Sequence, residues 1–158
     1  MITDVLKVLA MANKFYAPIG VQFGDGREYG CLAIGGDRSA KFPIQLRVPF
    51  GNIPADKRCY ELALEKITRL AEHPDHWSSF ESRNPDAWRY GGAIRLSENT
   101  SSTIAFMAWS GYPELPDEAF MLALAVRSGI MTVRRAEMIA LKSKNEFFTP
   151  VLAAMGYV

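Results

Sequence analysis

Hydrophobic positions recur every three to four residues over 3–16, where Val5, Leu9, Ala12 and Tyr16 share one helical face. Thr3 can cap this helix, and Pro18 and Gly20 are expected to end it. Asp25-Gly26 is a turn signal. The pattern then changes. Segments 29–35 (YGCLAIG) and 43–48 (PIQLRV) read as strands joined by Gly36-Asp37-Arg38-Ser39. In the second, Ile44, Leu46 and Val48 alternate with Gln45 and Arg47, as in a half-buried strand, so 29–48 is expected to be a hairpin. Helical periodicity returns over 52–72. Pro54 suits the first turn and Asp56 favours its positive end. Tyr60, Ala63, Leu64, Ile67, Leu70 and Ala71 form an apolar stripe opposite Lys57, Glu61, Glu65, Thr68 and Arg69. His73-Pro74 stops the helix.

Segment 73–87 has no period and carries two prolines, which predicts a loop. Two further strands are expected at 93–96 and 103–109, with a turn over 97–100. The second is apolar almost throughout, so it should be central and covered on both faces. A helix over 117–128 places Phe120, Ala123, Leu124 and Arg127 in register, with Gly129 as its C-terminal cap. Another is expected from Thr132 to about Phe148, and a short last one over 150–155, stopping at Gly156. Two hairpins separated by a helix predict an α+β fold: one antiparallel sheet of about four to five strands flanked by helices, in one domain spanning the chain.

Composition narrows the function classes. A chain of 158 residues with 49% hydrophobic residues fits one domain with a real core. Its 18 basic and 17 acidic side chains are near balance, so neither nucleic acid nor an anionic membrane is an expected partner. Low net charge also does little to oppose self-association. Cys31 and Cys59 show no CxxC or Cys/His spacing and read as two buried thiols. Residues 1–20 lack a basic segment followed by an unbroken apolar core, and no apolar run reaches the ~18 residues of a membrane span, so a cytoplasmic protein is expected.

Three pieces carry a family resemblance: the helix ELALEKITRL with Lys66 inside it, the strand entry Tyr90-Gly91-Gly92-Ala93-Ile94, and Ile104–Gly111 (IAFMAWSG) followed by Asp117-Glu118-Ala119. They resemble the "KA-x-TA" helix, the GG-x-P-[IL] strand entry and the "AIGVSG…DE" signature of the GlcG/HbpS-like family, which includes the C-terminal haem-binding domain of PduO-type proteins. The similar part covers about 28–130 and leaves 131–158 as extra C-terminal helices. Ala93 stands where proline is usual, and Ala33-Ile34-Gly35-Gly36-Asp37 matches the family's early "VDAGG" turn only loosely. The resemblance implies a profilin-like fold that self-assembles into a homo-oligomer, with haem or a related tetrapyrrole as the ligand of some members.

Several residues are candidates for chemistry. Asp117 and Glu118 open a helix, where carboxylates favour the dipole; as a functional pair they would need a third polar partner. Gly91-Gly92 and Ser110-Gly111 form tight turns, or together line one pocket with exposed backbone N–H groups. His73 and His76 are either a solvated loop pair or a source of a metal or haem ligand, imidazole being the usual proximal ligand of haem iron. Tyr60, Met107 and Cys59 are weaker ligand candidates and better core residues. Trp77, Phe80, Trp88, Tyr90, Trp109 and Tyr112 crowd one region together with Arg83, Arg89 and Arg95. That mixture suits a flat ligand bearing carboxylates, and equally an interface hot spot. No G-x-S-x-G elbow, GxGxxG or phosphate loop is present.

The expected function is an oligomeric module that binds or senses a small planar ligand, more a binding protein than an enzyme. Its cradle would be the loop 73–90 with the strand end Ser110-Gly111. Within it, His73 or His76 would supply an axial ligand, Trp77 a flat wall, and Arg83 or Arg89 a carboxylate partner. The alternatives are a structural protein with an aromatic subunit interface and no ligand, and an enzyme using Asp117, Glu118 and a histidine for acid–base chemistry.

Overall fold

A computed structural model describes residues 2–36, 46–96 and 103–157. The elements run α1 (Ile2–Phe23), β1 (Gly30–Gly35), β2 (Leu46–Phe50), α2 (Cys59–Ala71), β3 (Ala93–Arg95), β4 (Phe106–Ser110), α3 (Glu114–Arg127), α4 (Val133–Lys142) and α5 (Phe148–Ala154). Two single 3-10 turns, Ser79–Ser82 and Pro85–Ala87, lie between α2 and β3. The four strands form one antiparallel sheet in the order β2-β1-β4-β3. This is the expected α+β class. The expected turns at 36–39 and 97–100 fall wholly or largely outside the described residues.

Strand alternation builds two different faces. Cys31 and Ala33 of β1, with Phe106 and Ala108 of β4, point to the side covered by α2. Leu32, Ile34, Met107 and Trp109 point to the opposite side, against α1, α3, α4 and α5. The α2 side is mostly small residues (Cys31, Ala33, Ala93, Ala105 and Ala108), which lets one helix approach the sheet closely. The other side takes the large ones, with Trp109 packed edge-on to Phe120 at 5.0 Å between ring centroids. Strand β4 is central and wholly buried, as its unbroken apolar run implies.

Four helix boundaries differ from the sequence expectation by three residues or more. Helix α1 continues through Pro18, because its apolar stripe (Val8, Ala12, Ile19) persists past it. Burial of that stripe offsets the lost helical hydrogen bond and the ring clash of an internal proline, together about 3 kcal/mol. Gly20 is a contact position rather than a stop: a Cβ there would collide with the carbonyl of Arg27 and stand 3.1 Å from the Tyr112 ring. Helix α2 starts at Cys59 rather than 52, since Pro54 to Lys57 form a separate turn (Lys57 N to Pro54 O, 3.0 Å). Helix α3 starts three residues earlier than expected, at Glu114. The helix expected over 132–148 breaks after Lys142, where Ser143 and Asn145 turn inward to Glu118 and Lys144 takes a φ of 54°.

The stripe of α2 is also rotated from its expected position. Tyr60 and Leu64 are 43% and 36% exposed, while Cys59, Lys66 and Arg69 are buried. Two cations thus lie on the inner face of the helix. Arg69 is satisfied by Glu65 and by the carbonyls of Ser79 and Tyr90, and so ties the 73–90 segment to α2. Lys66 leads to the site.

Candidate ligand cleft

Three chain ends meet beside the end of β4. Helix α1 finishes there, and α2 and α3 begin there. Together with Trp88 and Tyr90 they enclose a cleft of about 1000 Å³. That lies at the upper end of the range for small-ligand sites, roughly 300–1,000 Å³. Neither Arg58 nor Pro113, at the N-cap positions of α2 and α3, supplies a side-chain cap. Both helices therefore present their positive ends to the same space.

Lys66 and Asp117 form the floor. Lys66 Nζ lies 2.7 Å from Asp117 Oδ2 and 2.9 Å from the carbonyl of Trp109, and both side chains are 2% exposed. Asp117 Oδ1 accepts from the Tyr112 N–H at 2.8 Å. The pair joins the two layers of the fold around the end of β4. Burial pushes the Asp117 carboxyl up to about 7, although Lys66 and the Tyr112 N–H pull it down. Gly92, at φ 123°, passes close over the pair: a Cβ there would lie 2.8 Å from Nζ and 2.9 Å from Asp117 Cβ.

The walls are aromatic and charged. Trp88 holds a left-handed φ of 58°, is 55% exposed, and has the Arg58 guanidinium 5.4 Å from its ring. Tyr29 and Tyr90 line the same space, as do Cys59 and Arg27, whose Nη1 donates to the Gly111 carbonyl at 3.3 Å. Burial raises the Cys59 thiol above its ordinary value, and Asp117 adds to the effect. At the rim, Arg83 grips Glu114 (Nε to Oε1, 2.9 Å), which also accepts from the Gly91 N–H at 2.9 Å. Burial alone would raise the Glu114 carboxyl, but Arg83 and Gly91 hold it below its ordinary value.

The residues singled out in the sequence are dispersed. Ser110 and Gly111 line the cleft. Arg83 stands at its edge with its fork occupied by Glu114. Arg89 is exposed, outside the lining, and pairs through its backbone with Asn84. His73 and His76 also lie outside the lining, their rings stacked at 4.7 Å, with His73 Nδ1 against the Arg69 carbonyl. Arg95 holds this histidine turn through the carbonyls of His73 and His76. Trp77 packs toward α4, with the Arg135 and Lys142 cations 5.3 and 5.0 Å from its ring. The six aromatics do not form one slot: Trp109 is core, Trp88 and Tyr90 face the cleft, and Tyr112, though buried, also borders it.

The two adjacent carboxylates at the start of α3 have separate roles. Glu118 points away from Lys66, into a buried set of donors: Ser78 Oγ, Ser143 Oγ at 2.9 Å and Asn145 Nδ2 at 3.0 Å. Burial raises its carboxyl above the ordinary value, opposed by those three donors.

Lys66 had a sequence signal beyond its motif. It sits three residues after Ala63 and four before Leu70, both fully buried, so a cation occurs in register with an apolar stripe. Arg27, Arg58 and Glu114 had no such signal, because the cleft exists only once three distant chain ends converge.

Among the described residues, no group of three or more histidine, cysteine or carboxylate side chains is placed to hold a metal ion. Nor is any helix there long and apolar enough to cross a membrane. No family model, no curated protein and no solved structure matches this chain.

Proposed function

We propose that this chain is a small-ligand-binding protein whose site is the cleft between α1, α2 and α3, and whose ligand is a flat organic molecule bearing an acidic group. One observation carries this: a cleft of about 1000 Å³ combines exposed Trp88, the cations Arg27 and Arg58, and two uncapped helix starts. Flat apolar surface takes the ring, and the cations with the backbone N–H groups take the acid. The resemblance to GlcG/HbpS-like proteins supports the same place, since its helix and its acidic signature meet there through Lys66 and Asp117.

Haem held by His73 or His76 does not fit this cleft, because neither imidazole is in its lining. The proposed ligand is therefore gripped by ring stacking and acid–cation contacts. A saturable quench of tryptophan fluorescence by 2-naphthoate, weakened by Arg58→Ala, is the expected result; a linear, unsaturable response would overturn the reading. Haemin titrated in parallel locates the alternative. A Soret shift lost in His73→Ala would move the site to the histidine turn.

A second reading, self-association, draws on the outer face of α2. Tyr60 and Leu64 lie one turn apart in solvent, with the Arg47 guanidinium 3.8 Å from the Tyr60 ring. Native mass on the purified chain, with and without Leu64→Lys, tests it; a monomer in both samples would overturn it.

A further inference from the structure

We infer that Lys66 is a carbonyl-capturing amine, and that the cleft binds a small aldehyde or α-keto acid reversibly as an imine on its Nζ. The inference rests on the ligand-binding reading above and specifies the chemistry of its floor. Two observations support it. The amine ends at the floor of a cleft large enough for a ligand, although the side chain is almost wholly buried. Among the described residues, two of its three N–H directions are matched, by Asp117 and the Trp109 carbonyl. A lysine needed only as a structural tie between layers would not require an approach from the cleft.

Asp117 supplies the proton traffic. Its carboxylate, 2.7 Å from Nζ, takes the ammonium proton and leaves a neutral amine. The nitrogen lone pair then forms a bond to the carbonyl carbon as the C=O π bond breaks, and one proton passes from that nitrogen to the oxygen to give a neutral carbinolamine. The Asp117 acid returns its proton to that hydroxyl, which departs as water as the C=N bond forms. The products are a protonated imine and an Asp117 carboxylate beside it. Charge is conserved, no electrons are exchanged, and water is the leaving group. A carboxyl raised by burial suits this task, because it both takes up and releases a proton near neutrality. The acidic end of an α-keto acid would face Arg27 and Arg58, which line the same cleft.

The full native chain is treated with glyoxylate and sodium cyanoborohydride, and peptides are mapped by mass spectrometry. The same sample is titrated with 2-naphthoate without reductant. Lys66 is expected to be alkylated at least about tenfold faster than exposed Lys7, Lys14 and Lys144, and saturating 2-naphthoate should slow it. Asp117→Asn, if its circular dichroism is unchanged, should cut the Lys66 rate at least about tenfold, leaving the exposed lysines unaffected. Labelling of Lys66 no faster than the exposed lysines, with naphthoate binding intact, would overturn the inference while leaving the binding reading standing. Loss of both responses would overturn both.

Discussion

Lys66 and Asp117, 51 positions apart in the chain, meet at 2.7 Å in a site from which water is almost excluded. Such a pair stabilises a fold only when the remaining polar atoms are satisfied, since each desolvated ion costs several kcal/mol. Here the Trp109 carbonyl adds a second partner for Lys66, and the Tyr112 N–H one for the other oxygen of Asp117. Burial still outweighs these partners, so the carboxyl is pushed up to about 7. The Asp117 carboxyl thus stands near its titration point at neutral pH.

That balance fixes the sign of a pH dependence. Between about 4 and about 7 the folded Asp117 holds a proton that the unfolded chain has lost. Its contribution to stability therefore falls as pH rises across that window. Lys66→Met removes the cation and should destabilise the chain by about 3–5 kcal/mol at pH 8, where an unpaired carboxylate is left buried. At pH 5 the carboxyl is neutral and the cost should be smaller. Urea unfolding of both proteins at the two pH values checks this; an equal cost at both would show that Asp117 does not titrate as described.

Glu118 is the fastening of the C-terminal helices. Its two oxygens gather Ser78, Ser143 and Asn145 at the break between α4 and α5. Glu118→Ala would take the acceptor from three buried donors, of which Asn145 keeps the Leu115 carbonyl, and open a cavity, with an expected cost of about 3 kcal/mol. Glu118→Gln keeps the shape and one acceptor and should cost less. Hydrogen exchange should show 133–154 losing protection before β1 and β4 in the alanine variant.

Gly92→Ala tests the closeness of the backbone over the pair. A φ of 123° is unfavourable for alanine, and the new methyl would press on Lys66 Nζ and on the Trp109 carbonyl, each 2.8 Å away. The expected loss is about 1–3 kcal/mol, with weakened ligand response in the cleft. Thermal melts and naphthoate titration on the same variant measure both.

The cysteines should be slow to react. Burial raises the Cys31 thiol to about 11, and Cys59, although it lines the cleft, is raised too by burial and by Asp117. Little thiolate exists at neutral pH in either case. Treatment with iodoacetamide at pH 7.5 should label neither in the folded chain and both in urea. Rapid labelling of Cys59 in the fold would show the cleft floor to be more open and more cationic than described.

The hydrophobic pattern alone determined the fold class and nearly every element, because the 2.0 and 3.6 periods report directly which side chains must leave water. It also identified β4 as the doubly covered strand and Gly129 as the end of α3. It misplaced the starts of α2 and α3, since those boundaries depend on what the preceding turn touches. It read Pro18 as a stop, since periodicity does not say how much burial lies beyond a proline. Clustering in sequence suggested that histidines 73 and 76, Trp77 and the tryptophans farther along shared one site. The structure disperses them: the histidine turn lies outside the cleft, Trp77 packs toward α4, Trp109 enters the core and Trp88 faces the cleft, because spacing along the chain does not say which neighbour each side chain meets. Only tertiary structure could bring Lys66 to Asp117 and three chain ends to one cleft. Such contacts depend on how the layers pack around the sheet, and no local spacing encodes that.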